Sequence, residues 1–291
     1  MKLGLALSGG GVRGAVHIGV IKALEENGII PSYISGTSLG SIIASLYSAN
    51  ININEIEELF KDNAKKMIID FDLSELFMYV KSLMLNLHKT VDGFIKGERI
   101  KKVLTDTFIQ NGCMHIRQAK IPLAIPAVEI NTAKTVMFVS DKTNLFDKDY
   151  IIYDDDIDIA TAVRASISVP VLFKPCIVKG KMLVDGALKD NIPSAILKQM
   201  GADKVLAVNL GYAGRVVSDI DDVLEIAVQA LDIMSYQISK VMLRQADYVL
   251  DPEVYDVTLL EVSRVPECIK RGYDAAMNKM PEIKRALNIE S

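Results

Sequence analysis

Hydrophobic and polar residues alternate along this chain in blocks whose period keeps changing. "KLGLALS" (2–8) is a short apolar run, the pattern of a strand buried on both faces. "GAVHIGVIKALEENG" (14–28) then shifts to helical spacing, with Val16, Val20, Ile21 and Leu24 on one stripe and Gly28 as the stop. "PSYISGTS" (31–38) reads as a strand and "LGSIIASLYSA" (39–49) as a helix. Residues 52–109 read as mainly helical. "IPLAIPAVEI" (121–130) and "KTVMFVS" (134–140) read as strands joined by a tight turn at Asn131 to Ala133. Beyond them the pattern predicts a helix over 157–166, a strand pair over 171–178 and 181–184, and a helix from Pro193. The strand "DKVLAVNL" (203–210), a long helix over 221–241, the strand "ADYVL" (246–250) and a terminal helix over 266–287 follow.

Strands that alternate with helices favour a three-layer α/β/α sandwich with a mainly parallel central sheet, covered by helices on both faces. Ligands in such sheets bind at the carboxyl ends of the strands. Residues 1–210 hold most of the strands. Residues 211–291 are mainly helical and are expected to pack onto the same domain.

Composition narrows the function. Half of the 291 residues are hydrophobic, enough for a substantial core. The net charge of -4 gives no electrostatic reason to expect a nucleic-acid partner. Three dispersed cysteines, Cys113, Cys176 and Cys268, form no C-x-x-C pair and indicate neither a disulfide framework nor zinc. No apolar run is long enough to span a bilayer, and the first apolar stretch is too short for a signal peptide. A cytoplasmic location, with peripheral contact at the membrane, is the expectation.

Four glycines crowd into "GGGVRG" (9–14), and Gly9, Gly11 and Gly14 match the G-x-G-x-x-G spacing of a dinucleotide loop. That reading requires an acidic residue at the end of the second strand, roughly 20 residues on. "IIPSYISGTSLG" (29–40) has none. A Walker A loop requires Lys-Ser/Thr after the last glycine, where Ala15 and Val16 stand. Both phosphate readings are badly weakened, and nucleotide binding stands as a distant alternative.

What ends the second strand is "GTSLG" (36–40), a G-x-S-x-G sequence. It reads either as a plain strand–helix junction or as a nucleophile elbow. In an elbow the serine, Ser38, sits exposed on a sharp turn, and Gly36 and Gly40 omit side chains that would collide. Under the elbow reading the glycine loop gains a purpose. Backbone N–H groups of Gly9, Gly10, Gly11, Val12, Arg13 and Gly14 would form an oxyanion hole, and the following helix would add its positive end. Arg13 would brace the loop or meet a headgroup phosphate. A third stretch, "VDGALKDNIP" (184–193), is a turn by itself but places Asp185, Gly186 and Ala187 at a strand end.

Taken in order, "GGGVRG" (9–14), "GTSLG" (36–40) and "DGALKDNIP" (185–193) resemble the patatin-like phospholipase family, supported by "GVIKALEENGI" (19–29) and "RASISVPVLFKP" (164–175). The likeness covers about the first 200 residues. It implies a patatin-like catalytic domain with Ser38 as nucleophile, Asp185 as its partner, the glycine loop as oxyanion hole and acyl-ester lipids as substrates. The reaction implied is hydrolysis of lipid esters, of the phospholipase A or lysophospholipase type. An acyltransferase or thioesterase using the same acyl-enzyme, or a silent lipid-binding protein, are the alternatives.

Histidine placement sharpens the dyad. Nucleophile-elbow hydrolases run Ser, acid, His along the chain. Here no histidine follows His115, and His17 and His88 lie in helical stretches without elbow context. Residues 67–90 are rich in Met, Leu and Phe and read either as a buried helix or as a cap that meets lipid or membrane. "DDDID" (154–158) lacks a calcium loop's glycine and spacing and is expected to open a helix through capping and charge. No His/Cys/carboxylate cluster has metal-ligand spacing and no cofactor is implied, so ester hydrolysis is expected to be unchanged in EDTA. An assay in which chelator stops turnover and calcium restores it would contradict this.

Overall fold

The computed structural model describes residues 1–68, 95–211, 223–259 and 261–289. Strands β1 (Leu3–Leu7), β2 (Tyr33–Gly36), β3 (Leu123–Glu129), β4 (Lys134–Val139), β5 (Ile151–Asp154), β6 (Cys176–Val178), β7 (Lys181–Asp185), β8 (Lys204–Val208) and β9 (Tyr248–Leu250) join in one sheet. Its order is β5-β4-β3-β2-β1-β8-β9. β1 pairs in parallel with β2 and β8, β2 with β3, β4 with β5, and β8 with β9. The β3–β4 hairpin, β7 on β3 and β6 on β7 are antiparallel.

The helices are α1 (Val16–Glu26), α2 (Leu39–Ser48), α3 (Ile53–Ile68), α4 (Glu98–Gln110), α5 (Ile159–Ser166), α6 (Ser194–Met200), α7 (Val223–Met242) and α8 (Val265–Ala286). Strand alternation assigns them to layers. Leu3, Leu5 and Leu7 enter a large core shared with buried residues of α1, α2, α4, α5 and α8. Ala6 faces a smaller core with Ile196 and Leu197 of α6. β8 divides in the same way, Leu206 and Val208 to one side and Val205 and Ala207 to the other. The result is a three-layer α/β/α sandwich.

Several elements depart from the expected pattern. β5 is an extra strand, added beside β4 by the short run "IIYD". The stretch expected as a strand from 171 forms an isolated parallel bridge at Phe173 with Ile95 and becomes a regular strand only from Cys176. Val171 adopts φ 74, outside strand geometry, while the buried Arg164 guanidinium donates to the carbonyls of Lys96 at 3.0 Å and Lys174 at 2.8 Å. The acidic run does not cap α5: Asp158 occupies the N-cap position without a side-chain cap bond. Its neighbours pair with cations instead, Asp155 with Arg117 at 2.9 Å and Asp154 with Lys179 at 2.9 Å. Residues 67–90 lie, beyond Ile68, outside the described residues.

α8 packs against α1 at backbone contact distance. A Cβ added to Gly19 would fall 1.9 Å from the Ile269 carbonyl oxygen, and one on Gly272 would fall 2.1 Å from that of Val16. The two glycines are mutual cavities that let the terminal helix close one face of the large core. Gly19→Ala gains helix propensity of about 1 kcal/mol, but separating the helices costs about 1–3 kcal/mol or more in repacking. Thermal unfolding is expected at a melting temperature several degrees below wild type, and an unchanged melting temperature would show that α8 does not press on α1 this way.

Candidate functional site

Two strands share one edge of β3. β4 covers the opposite edge along Ala124 to Glu129. On the free edge β2 pairs with Leu123 and Ala124, and β7, running the other way, pairs with Ala127 to Glu129. The two strands therefore meet head-on. β2 ends in Gly36 and leads to Ser38, while β7 ends in Asp185 opposite Ala127. Residues far apart in sequence are brought face to face by register alone.

The turn at Ser38 is tight. Its φ of 52 and ψ of -128 put an L-residue in the positive-φ half of backbone space, where strain is retained only if neighbours over-determine it. The neighbours do. A Cβ on Gly36 would lie 2.2 Å from the Gly40 carbonyl oxygen, and one on Gly40 would lie 2.5 Å from that of Ser8. The Ser38 N–H donates to Ser166 Oγ at 3.1 Å. Ser38 carries only 7% exposure, and a Cβ at Gly9 would fall 3.1 Å from its own Cβ, so the glycine loop lies against it.

Asp185 is buried. Its Oδ1 accepts the Ala187 N–H at 2.8 Å, from the turn Gly186–Leu188, while Oδ2 has no hydrogen-bond partner among the described residues. Burial pushes its carboxyl up to about 7, against the lowering pull of the Ala187 N–H and the neighbouring Ser38 hydroxyl. Asp190 is also pushed up to about 7 by burial, with Oδ1 likewise unpartnered. Thr37 fixes the Asp190 backbone by donating to its carbonyl at 2.8 Å.

The glycine loop divides its N–H groups. The Gly9 N–H is taken by Asn191, through Oδ1 at 3.0 Å and the carbonyl at 3.3 Å, and the Val12 N–H by the Leu259 carbonyl at 2.9 Å. Gly11 opens a short 3-10 helix through Ala15, in which Arg13 and Gly14 are buried. Gly10 and Gly11 donate to nothing among the described residues and line the same cavity as Ser38 and Asp185. Arg13 braces rather than reaches outward: Nε donates to the Gly10 carbonyl at 3.2 Å and Nη2 pairs with Asp232 at 3.1 Å.

That cavity holds only about 70 Å³ and is roofed by Leu231, Asp232, Ser235 and Tyr236 of α7. Ligand sites are commonly about 300–1,000 Å³. A larger concavity of about 1130 Å³ runs along β9 and α8, but it is lined largely by charged side chains and shares no residue with the elbow. Its size does not make it the site.

Neither described histidine lines the cavity. His115 caps a turn on the surface, accepting from the Arg117 N–H at 3.3 Å. His17 is fully buried, its Nε2 bonded to the Ser8 carbonyl at 2.8 Å and its Nδ1 unpartnered. His88 lies outside the described residues. Asn191 and Ser166, which fix the loop and the elbow, were not singled out from sequence. "DNIP" and "RASISVP" carry them, but nothing in either stretch signals the backbone N–H that each side chain meets.

The α/β/α sheet thus brings a strained strand-to-helix serine, a glycine loop and a buried carboxyl together at its strand ends. Residues 5–198 match the model of the patatin-like phospholipases, and the chain belongs to that family. It is 28% identical over 211 residues to the lysophospholipase NTE1 of Mycosarcoma maydis, covering 72% of this chain and 10% of that one. An uncharacterized NTE family protein of Mycobacterium tuberculosis is 28% identical over 209 residues, covering 72% of this chain and 49% of its own. The chain thus spans about half or less of the length of these relatives. VipD from Legionella pneumophila superposes with a TM-score of 0.51 at 18% identity, covering 97% of this chain and 66% of that one, a likeness of fold.

Burial holds the His17 imidazole down, at about 4 against an ordinary 6.5, with the Ser8 carbonyl opposing weakly. Its neutral form contributes fully above pH 6.5, and that contribution is lost as pH falls through about 4, because the unfolded chain binds the proton first. Denaturant titrations should show stability falling steadily over that window, and His17→Gln should flatten the slope there. An equal slope in both proteins would remove His17 as the cause.

Proposed function

We propose that this chain hydrolyses carboxylic esters of lipids, in the manner of a phospholipase A or lysophospholipase, through a Ser38–Asp185 dyad. The observation that carries the proposal is one cavity holding the strained Ser38, the unpartnered Oδ2 of Asp185 and the uncommitted N–H groups of Gly10 and Gly11. Ser38 Oγ attacks the ester carbonyl carbon and its proton passes to the Asp185 carboxylate. The carbonyl oxygen, now negative, receives the Gly10 and Gly11 N–H groups, with the start of the following helix adding to the field. As the intermediate collapses, the leaving alcohol takes the proton from Asp185. Water then attacks the acyl-enzyme by the same route, Asp185 accepting its proton and returning it to Ser38 Oγ as the bond to the fatty acid breaks and the acid leaves.

Asp185 is suited to this by its burial. An ordinary aspartate near 3.9 is a poor base toward serine, whereas a carboxyl held near 7 is a far stronger one. The reading restricts the oxyanion hole to part of the glycine loop, since Gly9 and Val12 spend their N–H groups internally. The lysophospholipase name of the fungal relative favours a lysophospholipid substrate. Membrane-peripheral action within the cytoplasm accords with this substrate. Among the described residues no helix is long and apolar enough to cross a membrane.

Ser38→Ala and Asp185→Asn are each expected to lower kcat by about a thousandfold or more on a lipid ester, with folding retained. Turnover should rise with pH through about 7 as Asp185 ionises. Asp190→Asn separates the two carboxyls: it should keep that limb, because Asp190 is not placed as the base. Ionised Asp185 also opposes folding, since its folded value lies above its unfolded one and stability declines as pH rises from 3.8 toward 7. Asp185→Asn should therefore melt no lower than wild type at pH 8. Near-normal turnover in a folded Asp185→Asn protein would sink the dyad.

A further inference from the structure

The helix that roofs the site has a second face. Leu231, Asp232 and Ser235 of α7 look into the Ser38 cavity, and Ser239 accepts from Asn191 Nδ2 at 2.9 Å. On the opposite side Ile226, Ile233, Met234 and Val241 are exposed by 56%, 46%, 58% and 56%. At 100° per residue the positions i, i+7, i+8 and i+15 fall in one arc, pointing away from the inner residues. Single exposed hydrophobic residues are ordinary, but an aligned stripe on one helix is a patch. Across the cavity, Val171 stands 36% exposed at φ 74, directly after Val169 and Pro170, which line the cavity. A β-branched side chain is thus held outward at the rim in a strained conformation.

The charges around this stripe divide by end: Glu225 precedes Ile226 within α7, and Lys240 and Arg244 stand at the other end. Between Ile226 and Val241 the charged residues are Asp232, turned inward to Arg13, and Lys240. Lys240 and Arg244 are both exposed at the end of the helix, and Lys240 lies 4.5 Å over the Tyr236 ring. An apolar band with cations at its end suits a lipid–water interface carrying anionic headgroups, where a helix lies in the surface without spanning it. A protein of net charge -4 has no general attraction to such a surface, so a local feature must supply it.

We propose that the outer face of α7, with Val171 across the cavity, is the surface by which this protein docks onto an anionic lipid aggregate. Docking there sets the rim of the cavity against the lipid, beside the helix that closes it. The proposal rests on the lipid-ester reading of Ser38, but its test does not require turnover.

The test is sedimentation with vesicles of non-hydrolysable ether-linked phosphatidylcholine, with and without ether-linked phosphatidylglycerol. Wild type is expected to sediment with the anionic vesicles. Ile233→Ser combined with Met234→Ser should weaken partitioning about tenfold or more. Lys240→Gln combined with Arg244→Gln should remove the preference for the anionic vesicles. Hydrolysis of a short soluble ester should stay unchanged in the Ile233/Met234 variant, and circular dichroism should report its fold. If that variant unfolds, Ile226→Ser with Val241→Ser carries the same reading. Wild type left in the supernatant, or equal partitioning by wild type and variant, overturns the proposal. So does light scattering that finds a dimer which the variant dissolves, since the stripe then meets a second copy. Loss of soluble-ester hydrolysis in Ser38→Ala, scored separately, tests the Ser38 reading and leaves vesicle binding as its own result.

Discussion

The site depends on two strands arriving from opposite directions on one edge of β3. β2 occupies the first part of that edge and β7 the last, so their carboxyl ends stop against each other. A register slip of one residue in β7 would turn Asp185 to the other face of the sheet, because side chains alternate. The elbow is fixed by an equally rigid condition. α2 can begin where it does only if the Gly40 backbone passes under the Ser8 carbonyl, and any side chain there would collide. The position of Ser38 is thus set by backbone placement, with side chains serving mainly to hold that placement.

Burial has opposite effects on the two titratable groups nearest this geometry. His17 lies under the Ser8 carbonyl and is kept neutral, so acid weakens the fold by forcing a proton onto it. Asp185 is kept protonated longer than an aspartate in water, so base weakens the fold by removing that proton. The carboxyl is more basic because water is excluded, and the same exclusion makes its ionised form costly. Strain at Ser38 and desolvation at Asp185 and His17 thus persist only because the surrounding fold holds these groups in place.

Much of this was legible in the sequence. Strand–helix alternation gave the layers because β1, buried on both faces, has to read as an unbroken apolar run. The three motifs identified the elbow, the loop and the turn after β7, because each requires glycine where backbones touch. Other features were silent. β5 is four residues long and belongs to the sheet only because β4 offers an edge. Val171 interrupts the expected strand, and Arg164 bonds the carbonyls of Lys96 and Lys174, contacts that local periodicity does not report. Asn191 stands inside the third motif, but its amide spans Gly9 and Ser239, which lie 182 and 48 residues away in sequence. Its effect on the loop is a tertiary fact. The division of the glycine N–H groups is of the same kind, since the partner of Val12 is the carbonyl of Leu259.

The way the roof is fastened follows from the same polar contacts. α7 is tied to the glycine loop by Arg13–Asp232 and to the β7 turn region by Asn191–Ser239, and both ties are hydrogen bonds or ion pairs. Asp232 is partly exposed, with its side chain 20% accessible, so water can replace its partner if the helix lifts. Arg13 would still donate through Nε to the Gly10 carbonyl. Lifting the roof therefore leaves the loop braced, while a hydrophobic seal would lose its whole contact with no solvent substitute. At about 70 Å³ the cavity under α7 is far smaller than ligand sites, commonly about 300–1,000 Å³. Arg13 therefore holds the Gly10 carbonyl whether or not its tie to α7 is made.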